Sequence, residues 1–193
     1  MSDAQNSIFE QDGRAVPYFD EGHGEGPALV LIPGRGLEGG ALGSVAHILS
    51  EEGYRVVRIG ARRTSEDGTV TREEWVEDVV AVMDHLGLDD AWIGGHGQGG
   101  TVARALAVAH TDRANGLLLL GVEDEDIALA PGLPVLIIQG SDDDVTPPAN
   151  GEKLQATAPE RASVVSMAGG GHLFPVTHAV DTAFAIEDYL AWD

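Results

Sequence analysis

The sequence predicts a doubly wound, mostly parallel α/β sheet with helices on both faces. Six short apolar runs, nearly continuous and rich in β-branched residues, recur along the chain. Strands buried on both faces read this way. Most of the runs are separated by segments of helical periodicity, and that alternation produces a parallel sheet. At 193 residues the chain is expected to form one domain over 1–193, large enough for a sizeable core. It shows no internal repeat and no linker.

The elements follow in order. Asp12-Gly13 between Ile8-Phe9-Glu10 and Val16-Pro17-Tyr18-Phe19 signals an N-terminal hairpin. Strands are expected at Ala28–Ile32, Tyr54–Ile59, Ala91–Ile93, Leu117–Leu120, Pro134–Ile138 and Ala162–Met167. Between the first two, Leu42, Val45, Ala46 and Leu49 share a helix face, and Gly53 is the stop. Thr71 with Glu74 three residues on forms a capping box. The stripe Trp75, Val79, Val82, Met83 and Leu86 then runs to Gly87. Further helices are expected over Gln98–His110, Pro147–Ala158 and Thr177–Trp192.

The net charge is −21, and of the 11 basic residues one, Lys153, is lysine. Such a surface repels nucleic acid and anionic membranes, so neither is an expected partner. The N-terminus lacks the basic start and apolar stretch of a signal peptide, and no apolar run is long enough to span a membrane. With no cysteine, disulfides, thiolate metal sites and a cysteine nucleophile are excluded, and a reducing cytoplasm fits. No metal-ligand spacing stands out, and no cofactor is expected.

Four motifs carry chemistry. The first is Pro33-Gly34-Arg35-Gly36 after the first long strand. Ile93 to Gly100 reads I-G-G-H-G-Q-G-G, the setting of a nucleophile elbow G-x-S-x-G with Gly97 at the central position. Gln139-Gly140-Ser141-Asp142-Asp143-Asp144-Val145-Thr146-Pro147 reads as an acid turn, and Gly170-Gly171-His172 as a terminal Gly-His. Each falls at the C-terminal end of a strand, where α/β sheets place their sites. In order and register the four resemble the α/β-hydrolase superfamily over nearly the whole chain. The resemblance implies that fold, with the hairpin in front. It also implies a site in which His172 is the base, Asp143 the acid that orients it, and the backbone N–H groups of Arg35 and Gln98 the oxyanion hole. Asp142, Asp144 and Asp124 are rivals for the acid.

The chain departs from the family twice. Gly97 stands where the family carries its serine. Only Glu123 to Leu133 separates the fourth and fifth of these strands, where relatives often insert a helical cap. No cap is expected, and a second copy of the chain could cover the open site. His96, in the elbow, reads as packing or as a substrate contact. Arg35, Arg62 and Arg63 on two loops, with Arg58 on the strand before the second, form a basic group suited to a substrate carboxylate or phosphate or to pairing with acidic residues.

Three readings of function follow. A His172–Asp143 base acts without a covalent intermediate on a small carbonyl compound, by elimination, isomerisation, cyclisation or water activation. Alternatively, the protein is a serine esterase, lactonase or thioesterase whose nucleophile has been replaced by Gly97. In the third reading it binds a ligand or partner and leaves it unchanged.

Overall fold

A computed structural model describes residues 5–34, 37, 40–62 and 70–192. The hairpin pairs β1 (Gln5–Gln11) with β2 (Arg14–Glu21). Asp12 and Gly13 both take positive φ, 54° and 76°, as a tight hairpin turn requires. The parallel core consists of β3 (Ala28–Ile32), β4 (Arg55–Ile59), β5 (Ala91–His96), β6 (Ala114–Leu120), β7 (Val135–Gly140) and β8 (Ala162–Met167). The sheet has eight strands in the order β1-β2-β4-β3-β5-β6-β7-β8, with β2 running antiparallel to its neighbours.

The helices cover both faces. Trp75, Val79 and Met83 of α2 (Arg72–His85), Val102 and Leu106 of α3 (Gln98–Ala109) and Leu154 of α4 (Pro148–Gln155) pack in one layer. Leu49 of α1 (Gly43–Glu51), Phe174 of α5 (Phe174–Thr177) and Ile186 of α6 (Ala179–Ala191) pack in the other. The Thr71–Glu74 capping box forms in both directions. Among the described residues, no helix is long and apolar enough to cross a membrane. Residues 121–134, between β6 and β7, contain no helix and no cap.

Element ends shift from the sequence reading by up to three residues, at β7 and α4 among others, and three of the shifts have a visible cause. β5 continues through Gly94 and Gly95 to His96 because those glycines sit against neighbouring backbone. A Cβ on Gly94 would lie 2.2 Å from the Leu118 carbonyl oxygen. β6 begins earlier, at Ala114, and includes Gly116, where a Cβ would strike the Trp92 ring at 2.2 Å. Glycine there makes room for the indole. The last helix, expected from Thr177, begins at Ala179, because His178 leaves helical geometry (φ −124°, ψ 39°) and separates it from the short α5.

Candidate active site

Strand order sets the location. After β3 the chain builds β4 on one side of it and returns to place β5 on the other. The C-terminal ends of β3 and β5 therefore flank a topological switch point, where open α/β sheets form their crevice. Gly97 follows the last residue of β5 and is the N-cap of α3, with φ 54° and ψ −118°. Its N–H donates to the Leu120 carbonyl (2.9 Å), and its own carbonyl accepts from Thr101 N–H (3.2 Å). The turn is thus fixed on both sides. Gly99 allows the close approach, since a Cβ there would lie 1.9 Å from the Ile32 carbonyl oxygen.

Among the described residues other than its chain neighbours, a Cβ built on Gly97 meets only His172 within contact range, at 3.7 Å from Cε1 and 3.8 Å from Nε2. Position 97 therefore faces the imidazole at ordinary van der Waals distance. His172 Nδ1 lies 3.1 Å from Asp143 Oδ2 and 3.2 Å from Thr146 Oγ1. Thr146 Oγ1 donates to the same carboxylate oxygen at 2.6 Å, and the N–H groups of Val145 and Thr146 donate to Oδ1 at 2.9 and 2.8 Å. Burial alone would raise the Asp143 pKa. The bonds from Thr146, His172 and Val145 outweigh it and hold the carboxyl below its ordinary value. The acid turn and the base loop are also tied to each other, since Asp142 N–H donates to the Gly170 carbonyl at 2.9 Å and Gly169 N–H to Ser141 Oγ at 2.8 Å.

His96 is 1% exposed, and its Nε2 lies 2.8 Å from the His172 carbonyl oxygen. A carbonyl only accepts, so the proton is assigned to Nε2 and Nδ1 carries the lone pair. Among the described residues, no partner reaches Nδ1. Burial is the main cause that pushes the His96 pKa from 6.5 down to about 4, offset by the bond to the carbonyl, lowered further by His172 and raised by Asp143. The folded-state pKa lies below the unfolded one, so the unfolded chain takes up the proton first. This neutral imidazole therefore contributes stability that is complete above pH 6.5 and is lost as pH falls toward 4, about 3 kcal/mol over the interval. Asp143 adds a further loss at lower pH, as its own carboxylate protonates. Urea unfolding at a series of pH values is expected to show the steeper loss in the wild type than in His96→Asn. Equal slopes in the two proteins would contradict the assignment.

Above Gly97 lies a cavity of about 380 Å³, whose lining includes Gly34, His96, Gln98, Glu123, Thr146 and His172. Gln98 opens α3, and no side chain caps that helix, which leaves N–H groups and the positive helix end free to meet an oxyanion. Arg35, the other residue expected to supply an oxyanion N–H, lies outside the described residues, as does Arg63. The remaining arginines do not form the expected rim. Arg62 holds Asp78 through two bonds of 2.9 and 2.7 Å and is not among the residues lining the cavity. Buried Arg58 pairs with Glu21 at 2.5 Å and stacks over Phe19. Their carboxylate partners are the reason: each guanidinium sits beside an acid that is itself almost fully buried, where an unpaired charge is costly. Among the described residues, no group of three or more acidic or histidine side chains is arranged to hold a metal ion.

Some residues that build the site went unassigned in the sequence. Thr146 bridges acid and base; an Asp with a Thr three residues on, closing a turn onto the carboxylate, was its available signal. Buried Gln139 accepts from Val122 N–H (2.7 Å) and donates to the Pro147 carbonyl (3.0 Å), which joins the exit of β6 to the acid turn. Buried Arg104 donates to the carbonyls of Glu123, Glu125 and Ile127. Nothing local in the sequence announces either contact.

The model of the Alpha/beta hydrolase family matches residues 28–174. A 2-hydroxymuconate semialdehyde hydrolase of Pseudomonas putida is 32% identical over 117 residues, 57% of this chain and 41% of that protein. Its counterpart from Pseudomonas sp. strain CF600 is 27% identical over 111 residues, 58% of this chain and 38% of that protein. The chain thus spans less than half the length of these curated relatives. Among solved structures, a thermophilic esterase from Thermogutta terrifontis superposes with a TM-score of 0.83 at 20% identity, covering 97% of this chain and 98% of that one. A meta-cleavage product hydrolase from Pseudomonas fluorescens IP01 gives 0.82 at 18% identity, covering 96% and 97%. At these identities the structural likeness is one of fold.

Proposed function

Because the chain belongs to the α/β-hydrolase family, as the match over residues 28–174 shows, we propose that it is an enzyme in which His172 activates water directly, without an acyl-enzyme. The observation that carries this reading is the aim of the base. His172 Nε2 lies 3.8 Å from where a side chain at position 97 would begin, and Nδ1 is held by Asp143 and Thr146. A water in that place gives its proton to Nε2 while its oxygen bonds to the substrate's carbonyl carbon. The carbonyl electron pair moves onto oxygen, where the Gln98 N–H and the end of α3 stabilise it. Asp143 stabilises the imidazolium. Collapse expels the leaving group, which takes the proton back from His172.

The same base would serve elimination, isomerisation or cyclisation. That the relatives are hydrolases favours attack by water. A second reading, a serine hydrolase with its nucleophile replaced, is favoured by the Gly97 turn, whose φ of 54° and ψ of −118° leave a Cβ pointing at the base.

Incubation with a panel of activated esters, lactones and carbamates tests the first reading. Product is expected above the buffer rate while the intact mass of the protein stays unchanged through turnover. A trapped acyl adduct, or no product from any member of the panel, would refute it.

A further inference from the structure

We propose that Glu123 selects a substrate carrying an ammonium group, so that the site accepts a cationic carbonyl compound; this rests on the placement of the reacting carbonyl at Gly97 and Gln98 given above. The cavity over Gly97 has three carboxylates in its described lining, Glu123, Asp124 and Glu125, and no described lysine or arginine. The three are not equivalent. Asp124 is paired with Lys153 at 2.6 Å and Glu125 with Arg72 at 3.2 Å. Glu123 accepts from the buried Thr101 hydroxyl at 2.6 Å, a neutral donor. Among the described residues, no basic side chain forms an ion pair with its carboxylate.

Its position is built. Thr101 stands four residues beyond Gly97, one turn into α3. Arg104, on the same helix, grips the backbone of Glu123, Glu125 and Ile127. Two buried side chains of α3 therefore fix the carboxylate relative to the elbow, and charge held in place recognises a counter-charge with little ordering cost.

A second observation points the same way. His96, buried in the same cavity wall, has Nδ1 without a donor among the described residues. That nitrogen lies 3.5 Å from where a Cβ on Gly34, another lining residue, would be. Away from the N–H groups at the start of α3, the uncommitted side-chain atoms of the described wall thus include a carboxylate and a lone pair, both acceptors. A ligand with N–H donors and positive charge complements them, and a carboxylate or phosphate does not.

Binding of n-butylammonium, n-butanol and butyrate, followed by the NMR shifts of the His172 and His96 imidazoles, tests the proposal. High constant salt screens the general attraction of an acidic surface. The ammonium is expected to bind more tightly than the alcohol by about fivefold, and butyrate most weakly. Glu123→Gln should erase the preference and Asp124→Asn should keep it. Butyrate binding as well as butylammonium, an undiminished preference in Glu123→Gln, or no response to butylammonium would overturn it. The assay needs no turnover, so selectivity without product would count against water activation alone, and product without selectivity against the role of Glu123 alone.

Discussion

Gly97→Ser is expected to create a nucleophile that fluorophosphonate probes label and that raises hydrolysis of activated esters by at least about 10²-fold. The turn already holds the required shape, and among the described residues beyond its chain neighbours the added Cβ meets only His172, at 3.7 and 3.8 Å. From there a hydroxyl lies within reach of Nε2. The cost is local: an L side chain at φ 54° is strained by about 1–3 kcal/mol, which urea unfolding would register as a lowered midpoint. The turn's bonds to Leu120 and from Thr101 hold it against that strain. A folded Gly97→Ser protein that no probe labels would mean that the imidazole does not address position 97.

His172→Ala is expected to lower turnover by about 10²–10⁴-fold, the range over which a positioned general base contributes. No other described side chain is both held by a carboxylate and directed at position 97. His96 is a poor substitute, since its Nε2 is committed to the His172 carbonyl. The oxyanion donors proposed above are backbone groups, which the substitution leaves in place, so the loss would report proton transfer. Near-normal rates in His172→Ala would place the base elsewhere.

Most of the fold was legible because strand and helix periodicities are local. The Thr71–Glu74 box and the positive φ of Gly53 and Gly87 fell where residue type alone indicated. The misread boundaries, at β5, β6 and the last helix, depend on contacts made elsewhere: Gly94 against Leu118, and Gly116 under Trp92. The site divides in the same way. Gly97, Asp143 and His172 sit in short motifs with fixed spacing, and the structure brings them together. The arginine group looked coherent in the sequence because Arg58 and Arg62 are close in number. Their partners, Glu21 and Asp78, were assigned by strand register and helix docking, which spacing does not reveal. Glu123 appeared as one acid in a run of four, and only its bond from Thr101 separates it from its neighbours.

The crossing of β3, β5 and α3 has a consequence for how such a protein can change over generations. Its geometry is dictated by Gly94, Gly95 and Gly99, where a single added carbon would strike backbone at 2.2, 2.4 and 1.9 Å. Position 97 has backbone strain but no such collision; its neighbour among the described residues is the far end of a side chain. Folding and reactivity are therefore encoded by different members of one glycine cluster. Mutations can exchange the reactive group in one step while the architecture persists, and drift at the flanking glycines is closed off. In such an arrangement a lineage can lose one reaction mechanism and adopt another without passing through an unfolded ancestor.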